Sequence, residues 1–124
     1  MKKDLYIEQG ATFTFSFQWV RGETAETATP VDLTGFTGRM QIRQAQKKPV
    51  LAEVASGDGV TLIESAQGRV EISFSDLKTD GLTFPKAVYD LEMEAPDGTV
   101  YRLLEGNVTV SPNITQTGSE PGGV

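Results

Sequence analysis

Residues 89–110 read YDLEMEAPDGTVYRLLEGNVTV. Tyr89, Leu91 and Met93 alternate with Asp90, Glu92 and Glu94, which is the period of a strand with one face buried and one face wet. Pro96 suits the first central position of a type I turn, Asp97 the second, and Gly98 the left-handed residue that follows. The stretch is therefore a three-residue β-hairpin with a bulge at its glycine. That turn fixes the register. Ala95 faces Thr99, Glu94 faces Val100, Met93 faces Tyr101, Glu92 faces Arg102, Leu91 faces Leu103 and Asp90 faces Leu104. Continued unbroken, the register would turn Val108 and Val110 toward water. One extra residue restores them, and a glycine often marks such a bulge, so we place it near Glu105-Gly106. Val108 then lies opposite Ala87, both inward.

The same stretch holds five acids, Asp90, Glu92, Glu94, Asp97 and Glu105. Three share a face because strand alternation puts them there, and Glu92 has Arg102 across the ladder. Calcium loops pack their oxygen ligands densely around a tight turn, and strand spacing does not do this. Asp58-Gly59, Asp80-Gly81 and Asp97-Gly98 are turn dipeptides, and no DxDxDG, GxxxxGK[ST], GxGxxG or GxSxG pattern occurs. We assign no catalytic, cofactor-binding or metal-binding residue.

Working outward, the period of two recurs along the chain. In ATFTFSFQWV, residues 11–20, Phe13, Phe15, Phe17 and Trp19 fall on one face and Thr12, Thr14, Ser16 and Gln18 on the other. The aromatic row is assigned to the core. Leu5 and Ile7 belong to a shorter strand before it. Residues 21–35 carry no period and form a long loop ending in the turn Asp32-Leu33-Thr34-Gly35. Met40 and Ile42 point inward from the next strand. VLAEVA (50–55) is another strand, and Gly57-Asp58-Gly59 turns the chain. VTLIE and GRVEISF then pair across SAQG, with Val70, Ile72 and Phe74 inward. Gln46-Lys47-Lys48 is a basic hairpin tip. SDLKTDGLTFP (75–85) is the one helical connector, capped by Ser75 or Asp76 and ended by Gly81. Residues 1–111 are thus one domain: all-β, an antiparallel β-sandwich or barrel of about 7–9 strands, with two sheets packed face to face as the favoured form. Residues 112–124 are a polar, Gly/Pro-rich tail expected to be flexible.

Composition narrows the function. The chain has 124 residues with no cysteine and no histidine, which removes disulfides, thiolate chemistry, histidine-based triads and the commonest metal ligands. Its 17 acids against 11 bases give a net charge of −6, which opposes binding to a phosphate backbone. The start, MKKDLYIEQG, lacks the apolar run of a secretory signal. No segment approaches the roughly 20 apolar residues of a membrane helix. The expectation is a soluble protein made in a cytoplasm, with no nucleic-acid or membrane partner.

Three segments, GATFTFSFQW (10–19), PVDLTGFTGRMQIRQ (30–44) and AVYDLEMEAPDGTVYRLLEGNVTVSPNIT (87–115), with GVTLIESAQGRVEISFS (59–75) between the last two, resemble a known family. They are similar to small β-sandwich proteins of bacteriophage tails, collars and baseplates, a group that includes the collar protein attaching L-shaped tail fibres. The resemblance covers roughly residues 5–115 and is carried by turns and core strands. It implies an immunoglobulin-like antiparallel β-sandwich working as a non-enzymatic virion structural protein, made in the host bacterial cytoplasm, that acts as an adaptor for neighbouring tail, baseplate or fibre proteins and could assemble with itself in the virion. It carries over no site residues. Two other classes compete. A carbohydrate-binding module would need Trp19 or the phenylalanines exposed on a sheet face. A small hydrolase would need two acids, such as Glu92 and Glu94, converging in a pocket.

Overall fold

The computed structural model describes residues 1–112; the tail at 113–124 lies outside the described residues. The strands are β1 (Leu5–Glu8), β2 (Phe13–Gln18), β3 (Val20–Arg21), β4 (Thr29–Pro30), β5 (Thr37–Arg43), β6 (Val50–Ser56), β7 (Gly59–Glu64), β8 (Arg69–Phe74), β9 (Lys86–Glu94) and β10 (Val100–Ser111). A helix, α1 (Asp76–Asp80), and a 3₁₀ turn, Ser65–Gln67, are the helical pieces among the described residues. Neither is long and apolar enough to cross a membrane.

The main ladder runs β1-β10-β9-β5-β6-β7-β8-β2, and β3 pairs with β4 apart from it. The β6–β7 link is only Ala55↔Gly59 and Ser56↔Val60, at the Gly57-Asp58 corner. On one side of that corner stand β1-β10-β9-β5-β6, and on the other β7-β8-β2. This order, with the penultimate strand between the last strand and β5, and β8 between β7 and β2, is that of an immunoglobulin-type sandwich. The interior holds Leu5, Ile7, Met40, Ile42, Leu91, Met93, Leu104 and Val108 from the first side. Val60, Val70, Ile72 and Phe74 face them from the second. The two layers meet closely at Gly38, where a Cβ would lie 2.8 Å from Met93 Sδ and 2.9 Å from Val60 Cγ1.

The hairpin register is as expected from its turn to Arg102. Ala95 N–H donates to Thr99 O at 2.8 Å, Gly98 has φ +90°, and Val100, Tyr101 and Arg102 face Glu94, Met93 and Glu92. The extra residue is elsewhere. The ladder shifts between Arg102 and Leu104, so Leu104, not Leu103, faces Leu91, while Val108 still faces Ala87. Gly106 serves a different purpose. A Cβ there would lie 2.4 Å from Lys3 O. The N-terminal segment crosses at that point, with Lys3 N–H donating to Glu105 O and Glu105 N–H to Met1 O. The glycine marks a close backbone approach, the other reading of a glycine within a strand.

Two further features depart from expectation. Among the described residues pairing is antiparallel except at the β6–β7 corner and where the N-terminal segment meets β10: β1 runs parallel to β10 with Leu5↔Val108 and Ile7↔Val110, and Lys2 bridges Glu105 in the same sense. The 21–35 loop contains the small β3–β4 hairpin. Ser75 caps α1 through Lys78 N–H and Gly81 ends it, both as read, the glycine in a right-handed conformation, φ −78°. The connector SAQG is a 3₁₀ turn closed by left-handed Gly68.

Candidate functional site

The five acids do not all come together. Asp97 sits in the hairpin turn, where its Oδ1 accepts from Thr99 N–H at 2.9 Å. That bond and the Thr99 hydroxyl hold its carboxyl below the ordinary carboxylate range. Asp90, Glu92 and Glu105 line a shallow groove of about 610 Å³ on the outer face of β5, β9 and β10, together with the cations Lys2, Arg43, Lys47 and Arg102. Arg102 faces Glu92 in the ladder but directs its guanidinium to Asp90 at 3.5 Å and Glu105 at 4.0 Å. Glu92 has a cation on each neighbouring strand, Arg39 and Arg102. The charges interleave, as on a solvated sheet face, and exposed pairs of this kind contribute under about 1 kcal/mol each. Among the described residues no three ligand side chains form a metal-binding group.

A different set of residues comes together at the end of the sandwich where the β9–β10 hairpin turns. Trp19 follows β2, Phe36 precedes β5 and Tyr101 lies on β10. The ring centroids are 5.2 Å (Trp19–Tyr101), 6.1 Å (Trp19–Phe36) and 6.4 Å (Phe36–Tyr101) apart. Arg21 lays its guanidinium over Trp19 at 5.3 Å and over Tyr101 at 5.6 Å, a favourable cation–π placement. The backbone beneath is tied down. Trp19 N–H donates to Gly68 O, Val31 N–H to Trp19 O and Leu33 N–H to Ser65 O. Asp32 Oδ1 takes Thr34 N–H at 3.0 Å and the Thr34 hydroxyl at 2.6 Å, which lowers its pKa. Left-handed Gly35 lets this turn abut Pro96: a Cβ would lie 2.9 Å from Pro96 Cγ. Beside the cluster Val20 is exposed, at 43%. The loop before β5, the β3–β4 hairpin and the β9–β10 turn thus build one rigid end face bearing Trp, Tyr, Arg and valine.

Sequence reasoning missed this cluster, because its members lie on three separated segments. Arg21 carries no local signal. Phe36 and Tyr101 were visible only as apolar positions. Trp19 is half-buried, and Arg21 lies over its ring.

The aromatic row of β2 is less buried than expected. Phe13, Phe15, Phe17 and Trp19 all lie against the core, yet each stays partly open. The reason is topological. β2 ends the strand order on its side and β1 ends the other, with no ladder between them. The row therefore lies along a seam, and near its Trp19 end a cleft of about 220 Å³ is lined by Met1, Phe17, Trp19, Val20 and Leu103.

No protein-family model matches the chain, and no curated protein does either.

Proposed function

We propose that this protein is a non-enzymatic structural component of a phage virion, at the tail, collar or baseplate, where it attaches neighbouring tail or fibre proteins. The observation that carries the attachment role is the end face. Trp, Tyr and Arg are the side chains that most often dominate protein interfaces, and here they are held on a braced platform with exposed Val20 at its rim. Rigid anchors lose little freedom on binding, which favours affinity. The phage setting is supported by the likeness of the segments at 10–19, 30–44 and 87–115 to tail, collar and baseplate proteins. The partners are then other tail, baseplate or fibre proteins, and the place of work is the virion after synthesis in the host cytoplasm.

The test is to purify particles from a lysate of the strain that carries the gene. Mass spectrometry should find the chain at constant stoichiometry, and an antibody should label the tail end. Val20→Asp with Arg21→Ala should leave the fold intact by circular dichroism yet release the chain from particles. A chain that never copurifies with particles overturns the phage assignment. Retention of the double variant at the wild-type level overturns the role of the end face.

A further inference from the structure

β2 ends its side of the sandwich, and its edge away from β8 has no ladder partner among the described residues. Soluble proteins commonly guard such an edge with charge, proline or a bulge. The strand at the other end of the order, β1, is guarded in this way: Lys2, Lys3 and Asp4 precede it and Glu8 closes it. β2 is not. From Ala11 to Val20 there is no charged residue and no proline, and its pairing with β8 runs from Phe13↔Phe74 to Gln18↔Arg69 without a register shift. Beneath this bare edge lies the half-open row Phe13, Phe15 and Phe17. Lys3 holds its ammonium over the Phe15 ring at 5.9 Å, a cover that a long flexible side chain can withdraw.

The sequence of the strand names the occupant. Residues 12–18 are Thr-Phe-Thr-Phe-Ser-Phe-Gln, a pattern that reads alike in both directions. Set antiparallel to a second copy about a two-fold axis at Phe15, Phe15 meets its counterpart, Phe13 meets Phe17, Thr14 meets Ser16 and Thr12 meets Gln18. Every apolar position then faces an apolar one on the inner side, and every outer pair is uncharged. Aromatic cross-strand pairs are favourable, and a two-fold contact requires a self-complementary patch. We infer that β2 is a self-association edge, through which two copies of this chain join their β7-β8-β2 layers into one continuous sheet. The inference stands independently of the end face and of the phage setting.

The register makes it testable in the full-length chain. Thr14 and Ser16 are exposed, so both tolerate charge in the monomer. In Thr14→Lys/Ser16→Lys, like charges meet twice across the two-fold. In Thr14→Glu/Ser16→Lys, unlike charges meet twice, and the new lysine also lies opposite Glu71 of its own chain. Sedimentation velocity over a concentration series should give a monomer–dimer equilibrium for the wild type. The like-charge variant should dissociate at least about tenfold more readily at low salt, and the unlike-charge variant should stay near wild type. Matched thermal melts at low concentration confirm that the variants fold. A wild type that stays monomeric to about 1 mM overturns the inference, whether the edge is vacant or is taken by a strand of another protein. Two variants that behave identically also overturn it.

Discussion

Gly106 shows how little room a single residue leaves. Its missing side chain is what lets the chain at Lys3 cross β10, since a Cβ would sit 2.4 Å from Lys3 O. Backbone cannot swing aside as a long side chain can. Gly106→Ala should therefore destabilise the protein by about 2 kcal/mol, within the usual range for overpacking, as read from the urea midpoint. The same crossing engages Tyr89, whose hydroxyl donates to Lys3 O at 2.6 Å. Burial, helped by the Asp4 charge, pushes its pKa from 10.0 up to about 12. Between those values the unfolded chain loses a proton that the folded chain keeps, so stability falls as pH rises. The Tyr89 contribution is whole below about pH 10 and lost through about pH 12. Tyr89→Phe should cost about 1 kcal/mol at pH 8, and the gap to wild type should narrow by pH 11 in denaturant titrations. Asp32 and Asp97 respond at the other extreme. Their folded pKa values lie below 3.8 because Thr34 and Thr99 donate to them. Their contribution is whole above the unfolded pKa and is lost as pH falls through the lowered one. The amide proton shifts of Thr34 and Thr99 should titrate with midpoints below 3.8; midpoints at or above that value would count against both capped turns.

Among the elements, α1 has five residues and is too short to stand by itself. It persists because Thr79, fully buried, bonds to the turn between β1 and β2. Its Oγ1 accepts from Gly10 N–H at 3.0 Å and lies within donating distance of Ala11 O, 2.8 Å, and Asp76 O, 3.0 Å. Thr79→Val keeps the shape and removes the partner of these partly buried groups, at a cost of about 1–2 kcal/mol, whereas Thr79→Ser should cost much less. Thermal melting of the two variants side by side separates hydrogen bonding from packing. Ser75 as the cap of α1 was legible because N-caps are local. The hairpin turn at Pro96-Asp97-Gly98 was legible for the same reason, and with it the register as far as Arg102. The bulge was not. An extra residue can be taken up anywhere between Arg102 and Val108 without changing the inward set at Val108 and Val110. Glycine's ordinary association with bulges drew the reading to Gly106, while the ladder shifted at Leu103.

At the scale of the molecule, two layers close on one core, and Gly38 on β5 sets how near they come. Gly38→Ala would drive a methyl between Met93 and Val60. The Met93 side chain can give way, but Val60 is stiff, so a loss of about 1–3 kcal/mol is expected, measurable as a lowered Tm with an unchanged far-ultraviolet spectrum. The sequence alone determined the all-β class, the inward faces of most strands, the main hairpin and the cap of α1. Each is carried by a period of two or by a turn of a few residues, and so is written locally. The tertiary structure alone decided which strands become neighbours. It put β1 parallel beside β10, left β2 at an open edge with its phenylalanines half-covered, gathered Trp19, Arg21, Phe36 and Tyr101 at one end, and dispersed the acids of the 89–110 hairpin over a charge-balanced face. Alternation says which way a side chain points from its strand. What it meets there depends on where distant parts of the chain have been folded.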